Sequence, residues 1–503
     1  MTRAKTSGTI EEFHIGMSAR RWIILLSLPV MAGMGALVAL DQRIFLALVG
    51  CLGAAAYTLL CMKKPFAAFV FVLFFASSES LSGLQVVAGI SSMVALGLIF
   101  TAVWVTRLAL KKTSLATFKE NWMLVGLGIV VLVSSLLHLD GPAGLRPIFT
   151  YLQQLLLVVL LVNMVTSPEK LRTAGTVLIA SSSLMAVLMI GARLGWMPGG
   201  AVSLWTGSMG SAYSQTVTRV SGFFGNPNYT SAQLVLTLPF IVEWWSYTRS
   251  LRLRVVLLAA AVAILLAFSY TISVTGFVGL LVYLLVKSTL LGPRNMFLRG
   301  GRLALALILG FFIVTTLYPT VFQEKIGLNV SLFRDYIDSK NPVYITEFGT
   351  GRGNAWMAAL QAVRESPFVG YGPGNGQYAI PGYLLSNPGS AYIFAAHNMY
   401  LSIALELGIF GFVLFVFLLV STWFATMPRY DRLIKNPSPL LKSVNQAVFA
   451  SLTVMLALGF AMDVNAIKLP WILIGMAVVS GRFSTASLNS VSSATDSSPV
   501  AMK

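Results

Sequence analysis

The chain has 503 residues, of which 56% are hydrophobic and only 10% charged, and its mean hydropathy is +0.80. This excludes an ordinary soluble domain, where charged residues make up about a quarter of the chain. The net charge of +18 would suit nucleic acid, but no basic motif interleaved with aromatics supports that partner, so none is expected.

Residues 1–21 form a polar amino-terminal segment ending in Arg20-Arg21. The apolar run from Trp22 is too long for a signal-peptide core, and no small-residue cleavage site precedes Asp41-Gln42-Arg43, so it is expected to be a retained span. Apolar runs long enough to cross a roughly 30 Å hydrocarbon layer then recur to near Ser480. They begin near Trp22, Phe45, Phe66, Leu84, Trp122, Ile148, Thr173, Tyr229, Val255, Val274, Leu303, Asn398, Ala447 and Leu469. In lipid the backbone must satisfy its own hydrogen bonds, so the runs predict helices. The expected fold is all-α: a polytopic membrane protein of about 14 spans over residues 22–483, with a large helical loop at 318–397.

Cys51 and Cys61 share one predicted helix about 15 Å apart, too far for a disulfide. The Ser-rich segment 484–503 predicts a disordered tail. Placing the amino terminus in the cytoplasm puts most of the 35 Lys and Arg residues in cytoplasmic segments, as the positive-inside pattern requires. Both termini are then cytoplasmic, and the basic excess faces anionic membrane lipids. Two segments on the opposite side, 194–228 and 318–397, are too long to be simple connections.

On that side lie Arg219 with Asn226-Pro227-Asn228, then Thr350-Gly351-Arg352, then His397-Asn398. Asn226 and Pro227 form a helix start. Thr350 can cap a helix from Gly351 to about Glu365, with Trp356, Leu360 and Val363 on one stripe against the membrane surface. His397-Asn398 opens another span. Helix amino termini attract anions, and the planar guanidinium fork suits phosphate oxygens, so these three segments predict a diphosphate site. A neutral His397 beside two guanidiniums can take a proton from a hydroxyl. The plainer alternatives are a membrane-anchoring arginine and a capping histidine.

Glu406, two turns into a span, is a functional candidate or a helix–helix contact. Gly370-Tyr-Gly-Pro-Gly-Asn-Gly376 lacks the strand and the Lys of a nucleotide loop and is read as a flexible turn. With two cysteines in the chain no metal constellation is expected.

Three stretches carry a family resemblance: Arg219-Val-Ser-Gly-Phe-Phe-Gly-Asn-Pro-Asn228, Gly351-Arg352 with Trp356 and Pro367-Phe-Val-Gly370-Tyr-Gly372-Pro-Gly374, and Ala396-His397-Asn398-Met-Tyr400 with Glu406-Leu-Gly408-Ile-Phe-Gly411. In order and spacing they resemble the bacterial O-antigen ligase and polymerase superfamily, over roughly 219–424. The resemblance implies an inner-membrane glycosyltransferase active on the periplasmic face without metal or other cofactor. Its donor would be a glycan on undecaprenyl diphosphate, and its acceptor the lipid A core or a second lipid-linked glycan. His397 would activate the acceptor and Arg219 and Arg352 would hold the diphosphate, with Asn226, Asn228, Asn398 and Glu406 in support. The reading favoured is ligase-type transfer. A polymerase of O-antigen, capsule or exopolysaccharide is the alternative, and a lipid-linked oligosaccharide flippase a more distant one.

Overall fold

The computed structural model describes residues 42–78, 85–87, 90–116, 120–196, 219–290, 330–340 apart from 332 and 336, 352–384, 395–427, 438–463 and 467–496. The chain divides into two compact units, Met1–Lys63 and Lys64–Lys503. The first contributes α1 (Gln42–Lys63), which carries Cys51 and Cys61 as free thiols.

Among its described residues the second unit is helical apart from turns, connecting segments and a small antiparallel hairpin, β1 (Gln85–Val87) with β2 (Ile90–Ser91). Its helices are α2 (Pro65–Ser77), α3 (Ser92–Ala109), α4 (Asn121–Leu137), α5 (Arg146–Met164), α6 (Pro168–Arg193), α7 (Pro227–Tyr247), α8 (Leu251–Thr271) and α9 (Val274–Leu290). Then follow α10 (Arg352–Glu365), the short α11 (Gly376–Ala379), α12 (Met399–Ala425), α13 (Pro439–Leu458) and α14 (Leu469–Asp496). Proline in the first turn, where its missing N–H costs nothing, starts α2, α5, α6, α7 and α13. Ser167, Asn226 and Ser438 cap the last three with their side chains.

Among the described residues five helices are long and apolar enough to cross a membrane: α5, α6, α8, α12 and α13. Exposed Leu98, Val125, Leu136, Val256 and Val262 on α3, α4 and α8 give the unit an apolar exterior that water would not tolerate over such an extent. The molecule is a polytopic helical membrane protein. The expected count of about 14 spans is not reached among the described residues: apolar helices such as α2, α4 and α9 are shorter than a span, and the runs from Trp22 and Leu303 lie outside the described residues. The run expected from Leu84 becomes a helix only at Ser92, because the hairpin occupies its start. At the other end, α14 runs through Asp496, well past Arg482, where a disordered tail was expected. Ser480 and Ser484 are buried against Asn445 of α13, so helix already packed on a neighbour continues into the Ser-rich segment.

α7 is the central helix, packed against α6, α8, α9 and α13. It is buried almost all round, including Thr230, Ser231, Gln233 and Thr237. Such polar groups in an apolar bundle bond across helices, as Gln233 and Thr237 do with Ser182 of α6. Glu243 of α7 pairs with Lys287 of α9. α14 packs on α5, α12 and α13, and α4 on α12.

α10 lies where expected, and the face it turns to the protein is the one opposite in character to its Trp356, Leu360 and Val363 stripe. Ala355, Ala358, Ala359 and Ala362 are buried, with a core of Ile380, Leu384, Ala396 and Leu405, while Leu360 is exposed. Small side chains let α10 approach α12 closely, which the larger ones would prevent.

α12 is broken. Gly408 has φ 64° and ψ −167°, a conformation open essentially to glycine alone. The groups freed by the break are taken by the segment expected to be a flexible turn: Tyr371 and Gly372 N–H donate to the Leu405 and Glu406 carbonyls at 2.8 and 3.0 Å, and Ile409 N–H donates to Pro367 O at 2.8 Å. Ser134 of α4 adds its hydroxyl to the Glu406 and Val369 carbonyls. The glycine-rich segment is thus a fixed splice, since an interrupted helix in lipid needs partners for its backbone. A Cβ on Gly408 would collide with the Phe368 carbonyl. Gly408→Ala should therefore lower stability by more than the roughly 1–3 kcal/mol of the dihedral alone. Thermal unfolding of the detergent-purified protein checks this, and an unchanged midpoint would contradict it.

Candidate functional site

Arg219 precedes α7 in an extended segment whose Val220 N–H bonds the Tyr270 carbonyl at 3.1 Å. Its Nε donates to Thr271 O at 2.8 Å and its Nη2 to Asn228 Oδ1 at 3.2 Å. The same Asn228 oxygen accepts the Ser273 hydroxyl at 2.8 Å, and Ser273 Oγ in turn accepts the Gly276 N–H. Arg219 is thereby bound to the turn that joins α8 to α9. Arg352, at the first position of α10, reaches the same turn, with its Nη1 3.3 Å from Thr275 Oγ1. Both guanidiniums are half-buried, and burial pushes each below its ordinary pKa. Asp463 and Tyr229 oppose that fall at Arg352.

His397 sits directly before the α12 cap in the left-handed region, with φ 49°. What holds it there is Asp463, beyond the end of α13. The buried carboxylate accepts the backbone N–H of His397 at 2.9 Å and of Asn398 at 3.2 Å, and also the Ser402 hydroxyl. The imidazole Nδ1 stands 3.7 Å from Asp463 Oδ2, an ionic distance rather than a hydrogen bond. Its side chain is 40% exposed. Burial lowers the His397 pKa below the usual histidine value; Asp463 opposes the shift and Arg352 adds to it. At neutral pH the ring is therefore a free base.

The structure brings Arg219, Asn228 and Arg352 to one turn, and joins His397 to Arg352 through the field of Asp463. It does not leave the termini of α7 and α12 open as expected, and the expected α10 cap, Thr350, lies outside the described residues. Asn398 Oδ1 accepts the Tyr400 and Leu401 N–H groups, Asp463 takes the two preceding amides, and Asn226 Oδ1 takes the Asn228 N–H. The amides at the start of α12 and the capped amide of α7 are already satisfied. Attraction for an anion falls on the guanidiniums, and the three asparagines hold backbone or arginine in place.

Beside these residues lies a cavity of about 340 Å³, between the start of α5, the Gly374–Ile380 segment and the start of α12. Asp463, Ala396 and Tyr229 form part of its wall, next to His397 and Asn228, and Glu406 lines its far side. Asp463 was not anticipated. The signal available was a carboxylate closing the apolar run after Ala447, at the end where the arginines and the histidine were expected. Arg146, Tyr151 and Gln154, also on the cavity wall, were missed because nothing local marks them.

No curated protein matches the chain. Residues 255–416 match the family model described as O-antigen ligase, a stretch that includes Arg352, His397, Asn398 and Glu406 but neither Arg219 nor Asp463. That match covers about a third of the chain and supports the O-antigen ligase superfamily.

Proposed function

We propose that the chain is a membrane glycosyltransferase that moves a glycan from undecaprenyl diphosphate to an acceptor hydroxyl on the periplasmic face of the inner membrane. The observation that carries this is the placement of a histidine of lowered pKa, backed by Asp463, within the field of Arg352, while Arg352 and Arg219 grip one turn. His397 takes the proton of the acceptor hydroxyl, whose oxygen attacks the anomeric carbon. The bond from that carbon to the diphosphate breaks with inversion, and its electron pair leaves on the diphosphate. Arg219 and Arg352 stabilise the charge that grows there. Diphosphate is already a good leaving group, so positioning and charge stabilisation supply most of the acceleration.

Ligase-type transfer to the lipid A core is the favoured form. Transporters carry broken helices at their binding sites, and α12 shares that trait, but here the break is sealed by the chain's own Pro367–Gly372 segment. Gel analysis of surface glycans from a deletion strain tests the reading. Polymer lost from lipid A with lipid-linked polymer accumulating is the expected result. Single repeat units remaining on the acceptor would make the protein a polymerase, and an unaltered glycan profile would overturn both.

A further inference from the structure

The arginines and the histidine leave the 340 Å³ cavity without a role, since none of the three lines it. Its volume falls in the range of small-molecule sites. Its polar wall includes Tyr151, Gln154, Gln377, Glu406 and Asp463, with Arg146 also on the lining. Pro147, Ile380 and Leu405 supply apolar surface between them. Two acidic side chains against the single Arg146 make this a poorer place for a diphosphate than the Arg219 and Arg352 pair. Carboxylate, amide and phenol groups set among apolar patches do suit a ring of hydroxyls with apolar C–H faces.

Glu406 is held for such a task. Its carboxylate accepts the Tyr151 hydroxyl at 2.7 Å and a backbone N–H from Gly374. Its own carbonyl is bound by Gly372 N–H and the Ser134 hydroxyl at the break of α12. A carboxylate has about four acceptor positions, so those two bonds leave capacity directed at the cavity. Fixing both the backbone and the head of one side chain is the pre-organisation a specificity contact needs.

We propose that this cavity is a saccharide subsite in which Glu406, positioned by Tyr151 and Gly374, accepts hydrogen bonds from the hydroxyls of one sugar ring. The proposal rests on the glycan-transfer reading and adds to it the place where the sugar is recognised. That sugar belongs either to the donor or to the acceptor, and the same experiment separates the two.

Full-length protein in nanodiscs is titrated with three probes: undecaprenyl diphosphate without sugar, undecaprenyl diphosphate carrying the host glycan, and the free acceptor oligosaccharide. Glu406→Gln should weaken one of the two sugar-bearing probes by about tenfold, the cost of losing a positioned buried acceptor, while leaving the bare lipid diphosphate within about twofold. Tyr151→Phe should weaken the same probe by less, and it serves where Glu406→Gln does not fold. Selective loss of the lipid-linked glycan assigns the donor sugar, and selective loss of the oligosaccharide assigns the acceptor. Unchanged binding of both, or equal loss of all three probes, would overturn the subsite. Arg352→Ala is the separate control: if it leaves bare lipid diphosphate binding intact, the diphosphate reading fails while the Glu406 measurements still decide the cavity.

Discussion

If His397 is the general base proposed, replacing it with asparagine should lower glycan transfer by a factor of about 10²–10⁴, the usual contribution of such a group, while the protein still inserts and folds. Asparagine is the informative substitution because position 397 has φ 49°, and asparagine tolerates that region better than alanine does. The pH profile adds a second readout. The base acts only when neutral, so activity rises as pH rises through the His397 pKa. Because burial and Arg352 depress that pKa, the rise is complete below the pH expected of an ordinary histidine. Asp463→Asn removes the charge that opposes the depression, so the limb moves to still lower pH; Arg352→Ala removes a charge that contributes to it, so the limb moves up. A wild-type rate in the His397→Asn variant, measured with purified protein and lipid-linked donor, would remove His397 from the mechanism. Shifts of the two limbs in the same direction would show that neither charge acts on this ring.

Arg352→Ala should weaken undecaprenyl diphosphate binding about 10- to 100-fold, as expected when a charge-assisted contact to a phosphate oxygen is lost. Arg219→Ala should do the same and also loosen the α8–α9 turn, because Arg219 bonds Thr271 and Asn228. Arg219→Lys separates the two effects: it retains the charge but cannot reproduce the planar fork. If Arg219 acts mainly on the ligand, lysine restores much of the affinity. If it acts mainly on the turn, lysine leaves binding as weak as alanine does and lowers thermal stability as well. Undiminished diphosphate binding in both alanine variants would leave the arginines as structural bolts only.

The membrane-helical character was legible from composition because no packed soluble core could bury so many apolar residues. Helix starts at Asn226-Pro227 and near Asn398 could be read from cap chemistry, which is local and survives in the structure. Reading along the chain failed where a partner distant in sequence decided the outcome. The Gly370–Gly376 segment has turn composition, yet three of its glycines sit at positive φ because α12 breaks beside it and borrows its amides. Nor could the residue pattern of α10 show which neighbour its alanine face meets, since that is α12, far along the chain.

The candidate site divides in the same way. Its residue types, two arginines and a histidine beside helix starts, were visible in sequence, because charged groups stand out against an apolar chain. Asp463, 66 residues from His397, could not be paired with it by any local rule. That hydrogen bond depends on the end of α13 meeting the start of α12, so only the tertiary structure decided which carboxylate faces the imidazole. Glu406 was visible as an intramembrane charge, but only the break at Gly408 and the packing of α5 show that it lines a cavity. Composition and capping are properties of single segments, whereas a pocket exists only between segments. The sequence by itself therefore determined the membrane fold class and the cast of charged residues, and the packing decided which of them share a site.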